Sequence, residues 1–148
     1  MNNFTILENK GREQFKSFLD KVGATDQQPT EDQYNPVDYY FTYKGQKVVA
    51  EIKVRDKGYE NYPTHIIEEN KLKSLLKAKE EDKCDFAYYV CFFGETAYWY
   101  NTTAILNSTV TEYLYCNATT AENNGKQDKL VRMIPTSIAK VYEKIDGV

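Results

Sequence analysis

Cysteine and histidine are too scarce in this chain to build a zinc site. Cys84, Cys91 and Cys116 are an odd set with no Cys-x-x-Cys pair, and His65 is the single histidine. The same scarcity argues against a disulfide scaffold, so three free thiols and a reducing, cytoplasmic setting are expected. No apolar run reaches membrane length and no signal-peptide pattern opens the chain, so no membrane association is expected. There is no P-loop, internal repeat or heptad pattern. A large positive charge is also missing. The net charge of −3 excludes a protein that coats nucleic acid by charge alone.

What the chain does have is uneven. Lys44 to Lys79 holds nine Lys or Arg against five Asp or Glu, a local +4 inside an acidic protein. Thirteen tyrosines and seven phenylalanines supply much of the apolar area, and tyrosine suits half-buried or functional faces. A length of 148 residues fits one sheet-plus-helix domain spanning 1–148.

The most informative stretch is Asn35 to Arg55, NPVDYYFTYKGQKVVAEIKVR. Two apolar runs, Val37 to Tyr43 and Lys47 to Val54, flank Lys44-Gly45-Gln46 and predict a β-hairpin. Asp38 opens the first strand. Glu51 and Lys53 are two apart on the second, so both leave the same face. Two carboxylates and the Ile52 carbonyl would form a hard oxygen site of the kind Mg2+ or Mn2+ takes. Lys53 would orient or deprotonate a water there. A plain surface strand with alternating Glu and Lys fits the same spacing.

Asp38 followed by Glu51-Ile52-Lys53 resembles the signature of the PD-(D/E)XK nuclease superfamily, over roughly Glu8 to Phe93. Pro36 stands one position earlier than the usual Pro. The resemblance implies a restriction-endonuclease-like α/β fold, a mixed central sheet flanked by helices. It implies Mg2+-dependent or Mn2+-dependent phosphodiester hydrolysis of DNA, with Asp38 and Glu51 as metal ligands and Lys53 as catalytic lysine. Glu13, or alternatively Glu8, matches a glutamate that such nucleases carry on the preceding helix. Lys71 resembles a phosphate-facing residue on the helix after the signature strand. Arg55, Lys57, Tyr59 and Lys73 complete the expected nucleic-acid contacts, with Tyr62 and Lys77 nearby. Tyr59 and Tyr62 equally suit packing of their linker. A homodimer would place two sites on two strands, and a partner protein could supply DNA targeting. A noncatalytic nucleic-acid- or protein-binding module that keeps the fold is the alternative function.

The remaining elements follow from periodicity. A helix is predicted over Glu8 to Val22, with Phe15, Phe18 and Leu19 on one side. Ala24 to Tyr34 reads as a polar loop. The resemblance requires one more strand: either Gln33 to Tyr39 and Tyr39 to Tyr43 belong to different strands, or the Asp38 strand is the second of three and the first lies within Ala24 to Tyr34. A helix is predicted from Thr64 or His65 to Glu80, with His65 exposed at its start. Strands follow at Phe86 to Phe93, Thr96 to Asn101, Thr109 to Cys116 and Lys129 to Ile134. Thr102 to Ser108 reads as a short helix or turn, Asn117 to Asp128 as a loop, and Ser137 to Ile145 as a last helix.

Overall fold

The computed structural model describes residues 3–30, 37–117 and 126–143. Helix α1 (Asn3–Val22) leads into strands β1 (Thr25–Pro29), β2 (Tyr39–Tyr43) and β3 (Gln46–Arg55). A 3₁₀ turn at Lys57–Tyr59 precedes β4 (Thr64–Glu68) and helix α2 (Glu69–Glu81). Then come β5 (Phe86–Phe93), β6 (Thr96–Asn101), α3 (Thr102–Ser108), β7 (Thr111–Asn117), β8 (Lys126–Pro135) and β9 (Lys140–Tyr142).

The strands form a six-stranded sheet in the order β1-β2-β3-β5-β6-β9 and a three-stranded sheet in the order β4-β8-β7. β1, β2 and β3 meander antiparallel, β3 and β5 run parallel, and β5, β6 and β9 are antiparallel again. This is the mixed sheet flanked by helices expected from the sequence. Strand alternation divides the large sheet into two faces. On one, Val48, Ala50, Val90 and Trp99 pack with Phe15 and Leu19 of α1. On the other, Val49, Ala87, Tyr89 and Cys91 pack with Leu72 and Leu75 of α2 and Ile134 of β8. The second core therefore joins both sheets.

Two glycines are needed where they stand. Lys44 (φ 50°) and Gly45 (φ 78°) link the paired residues Tyr43 and Gln46 as a two-residue turn with both central residues at positive φ, the geometry whose twist suits a hairpin. Gly11 lets α1 lie directly on β3. A Cβ there would come within 2.9 Å of Val54 Cγ2 and 3.2 Å of Ile52 Cγ2.

Several expected elements differ. The predicted loop at Ala24 to Tyr34 contains β1, the first of the three meandering strands. It is a short edge strand, mostly exposed, so it has no apolar alternation to betray it. Thr64 to Glu68 is a strand, and the helix begins at Glu69. His65 and Ile67 are buried alternately along β4, which pairs with β8. His65 is accordingly buried, not exposed. Its Nε2 lies 3.0 Å from the Glu60 carbonyl and its Nδ1 2.6 Å from the Tyr100 hydroxyl. A carbonyl can only accept, so Nε2 carries the hydrogen and Nδ1 accepts from Tyr100. The start of α2 is fixed by Glu69, which accepts from Arg132 Nε at 2.7 Å. The last helix is instead a 3₁₀ turn at Thr136–Ile138 and β9, which completes the sheet edge beside β6. β8 begins at Lys126, within the predicted loop, and 118–125 lie outside the described residues, as do Pro36 and Ile145. No helix among the described residues is long and apolar enough to cross a membrane.

Candidate active site

β3 is longer than its partner on one side. β2 pairs with it only as far as Tyr39 opposite Ala50, while β5 continues alongside to Phe93 opposite Arg55. Among the described residues, Glu51 to Arg55 is therefore paired on one edge and open on the other. The last backbone bond from the β2 side runs from Asp38 N–H to the Ala50 carbonyl at 3.0 Å. Asp38 then takes over with its side chain, and Oδ2 accepts the Ile52 N–H at 2.7 Å. In a strand, the N–H and C=O of one residue point the same way, and residues two apart repeat that direction. The Ile52 carbonyl thus faces the same open edge as Asp38.

Asp38 is fixed from a second direction. Arg12 of α1 places Nη2 at 3.4 Å from Asp38 Oδ1. The guanidinium is itself held, with Nη1 donating to the Thr30 carbonyl at 2.5 Å and Nη2 to Thr30 Oγ1 at 3.1 Å. The Thr30 hydroxyl donates to the Val37 carbonyl at 2.8 Å. Arg12 is not among the site residues expected from the sequence. The available signal was its position three residues before Phe15 and seven before Leu19, on the stripe that α1 buries, where a charged residue needs a partner.

Glu51 meets Asp38 in this space, and both are only 8% exposed. Glu51 is held protonated well above the usual carboxylate range. Burial is the main cause, and the Asp38 charge and a hydrogen bond to Asp38 act in the same direction. Lys71 and Lys53 pull the other way. Lys71 reaches over from α2, with Nζ 3.6 Å from Glu51 Oε1. Lys53, next on the same face of β3, is pulled down to about 8. Its burial is the largest cause and the Arg55 charge the next, opposed by Glu68 and Glu51.

The other expected residues are spread more widely. Arg55 donates to the Ile66 carbonyl and to the Tyr89 hydroxyl, both at 3.0 Å, and so ties β3 to β4 and β5. Lys57 pairs with Glu60 at 2.6 Å on the surface. Tyr59 is 54% exposed and stacks edge-on against Tyr62, with centroids 5.2 Å apart. Lys73 is exposed on α2. Glu13 is exposed on α1, one residue from the Arg12 that meets Asp38.

The donor set limits what could bind. Among the described residues no three His, Cys, Asp or Glu side chains converge as a metal cluster. Two buried carboxylates with one carbonyl beside them make a sparse, all-oxygen site. That suits a hard cation that keeps waters and shares a phosphate ligand, and it does not suit zinc.

No model of a known protein family and no curated protein matches the sequence. The fold does match a solved structure. The chain superposes on a Holliday junction resolvase, Hjc, from the archaeal hyperthermophile Archaeoglobus fulgidus, with a TM-score of 0.53. The match covers 87% of this chain and 86% of that one at 11% identity, so the likeness is one of fold. The sheet order, the flanking helices and this match agree, and the chain carries a resolvase-like fold, a mixed central sheet flanked by helices.

Proposed function

We propose that the protein is a divalent-metal-dependent deoxyribonuclease whose site is Asp38, Glu51, the Ile52 carbonyl and Lys53. The observation that carries this reading is the convergence of two buried carboxylates at the open edge of β3. With both members ionised, such a pair is unfavourable unless a cation lies between them.

Asp38 and Glu51 would hold Mg2+ or Mn2+, which when bound supplies positive charge to a phosphate oxygen and acidifies a water. Asp38 is held for this task by Ile52 N–H and Arg12. Lys53 lies one alternation beyond Glu51, and its amine is easily deprotonated. It is suited to take a proton from the attacking water or to orient that water in line with the scissile bond. Lys71, beside Glu51, would meet a non-bridging phosphate oxygen. Lys57, Tyr59, Arg55 and Lys73 would contact the flanking strand, and Glu13 would join the site only by a rotation toward it.

Branched DNA belongs among the substrates tried, because the structurally similar archaeal protein is a Holliday junction resolvase. A homodimer would cut two strands of one substrate, and a partner protein would extend a DNA-binding surface this short. The test is cleavage of supercoiled, linear, single-stranded and four-way-branched DNA with Mg2+, with Mn2+ and with chelator. Cutting that needs metal, and that Glu51→Ala and Lys53→Ala abolish without unfolding, supports the proposal. No cutting of any substrate, together with no Mn2+ binding by calorimetry, overturns it in favour of a noncatalytic binding module.

A further inference from the structure

The face of the large sheet opposite Glu51 carries a second feature. Beside the Lys44-Gly45 turn, a groove of about 480 Å³ opens between α1, the ends of β2 and β3, and β9. Its volume lies in the range of small-molecule sites, roughly 300 to 1,000 Å³. Its floor is Trp99, 8% exposed, with the Phe18 ring centroid at 5.1 Å and the Tyr88 centroid at 5.5 Å. At the rim, Lys44 Nζ sits 5.2 Å from the Tyr43 ring centroid and Lys140 Nζ 5.3 Å from that of Tyr142. Among the described residues no Asp or Glu lines the groove, although the chain as a whole is acidic.

Two requirements on an occupant follow. It must be planar to use the aromatic floor, and anionic to use two lysines with no carboxylate of the described residues between them. An aliphatic chain meets only the need for apolar contact. An inorganic anion uses only the lysines.

We propose that this groove binds a nucleotide, its base against Trp99, Tyr88 and Tyr142 and its phosphate between Lys44 and Lys140. Aromatic rings interleaved with cations form the platform on which unpaired bases stack with little regard to sequence. The nucleotide can come from two sources, a free mononucleotide or an unpaired position in a strand. The assignment stands apart from hydrolysis at Glu51, which lies on the other face.

Trp99 is the only tryptophan in the chain, so its fluorescence reports on the groove alone. The experiment titrates the full-length protein, in chelator, with thymidine monophosphate and with a short single-stranded oligothymidylate. Saturable quenching is expected. The Lys44→Ala/Lys140→Ala double variant should weaken it by about tenfold or more, because both phosphate contacts are lost. Both lysines are exposed, so this variant should fold. Tighter binding of the oligonucleotide than of the monophosphate would assign a strand as the source, and equal binding a free nucleotide. No quenching by either, or quenching that the double variant leaves unchanged, overturns the proposal. The Glu51→Gln protein should quench as the unaltered protein does, so a failure of the nuclease reading leaves this result legible.

Discussion

The Asp38 carboxylate takes the place of a backbone carbonyl for Ile52, accepting its N–H at 2.7 Å where β2 has already turned away from β3. One side chain thus closes the strand ladder, turns its other oxygen to Arg12 at 3.4 Å, and lies within hydrogen-bond reach of Glu51. Asp38→Asn should keep the ladder contact through its amide oxygen and lose the charge. The expected result is a folded protein with an unchanged circular-dichroism spectrum. The metal-dependent cleavage proposed above should fall by about a hundredfold or more, the usual scale for removing one charged group aimed at the reacting centre. A loss of fold with the loss of activity would show that the carboxylate acts only as part of the sheet.

Arg12 holds Asp38 and is held in turn by Thr30. Groups that orient a metal ligand typically contribute about 10- to 100-fold to metal affinity. Arg12→Ala is therefore expected to weaken Mn2+ binding on that scale by calorimetry. Arg12→Lys keeps the charge but cannot span Thr30 and Asp38 with one planar fork, so it should recover only part of the affinity. Equal affinity in all three proteins would sink this role.

Without metal, Glu51 should make stability depend on pH. Its folded-state pKa lies above its unfolded value, so between the two the native state binds more protons than the unfolded one. Stability in chelator should therefore fall as pH rises through that window, which begins near the ordinary glutamate value. Glu51→Gln removes the titration. Its thermal midpoint should exceed that of the unaltered protein at neutral pH, and the difference should vanish in acid. Added Mg2+ should raise the midpoint of the unaltered protein and not that of the variant.

Gly11→Ala sets two effects of known size against each other. Alanine in a helix is favoured over glycine by about 1 kcal/mol. The added Cβ would strike Val54 Cγ2 at 2.9 Å, on a β-branched side chain with little freedom to turn. Overpacking of this kind costs roughly 1 to 3 kcal/mol. A net destabilisation of about 1 kcal/mol is expected from chemical denaturation. Activity should fall more than stability, since the helix would lift from the strand residues on either side of Lys53.

The site was legible where chemistry and strand period coincide. Glu51 and Lys53 stand out because two charges share a face amid Val48, Val49, Ile52 and Val54, and Asp38 because it opens the partner strand. Arg12 escaped because its partner is distant in sequence and its only local mark is a charge on a buried stripe. The same distance hid β4. Thr64 to Glu68 borders a real helix, and Ile67 falls in step with Lys71 and Leu75, so a helical period extends back across it. Its true partner, β8, is named only by the fold. Ile138 and Val141 mimicked a helix by spacing alone, yet Val141 is 45% exposed on an edge strand. β1 had no apolar signal because neither of its faces is well covered.

The half-paired state of β3 also has a kinetic meaning. β2 and β3 are joined by two residues, so their hairpin can close within about 1 to 10 μs. The parallel pairing of β3 with β5 must wait until the β4–α2 crossover is folded back, a slower closure of a longer loop. Until then Glu51 and Asp38 face water, and their repulsion is screened. The penalty of burying them falls on the last stage of folding, so it should shorten the lifetime of the native protein and leave its rate of formation alone. A cation that fills the gap would then act chiefly as a brake on unfolding.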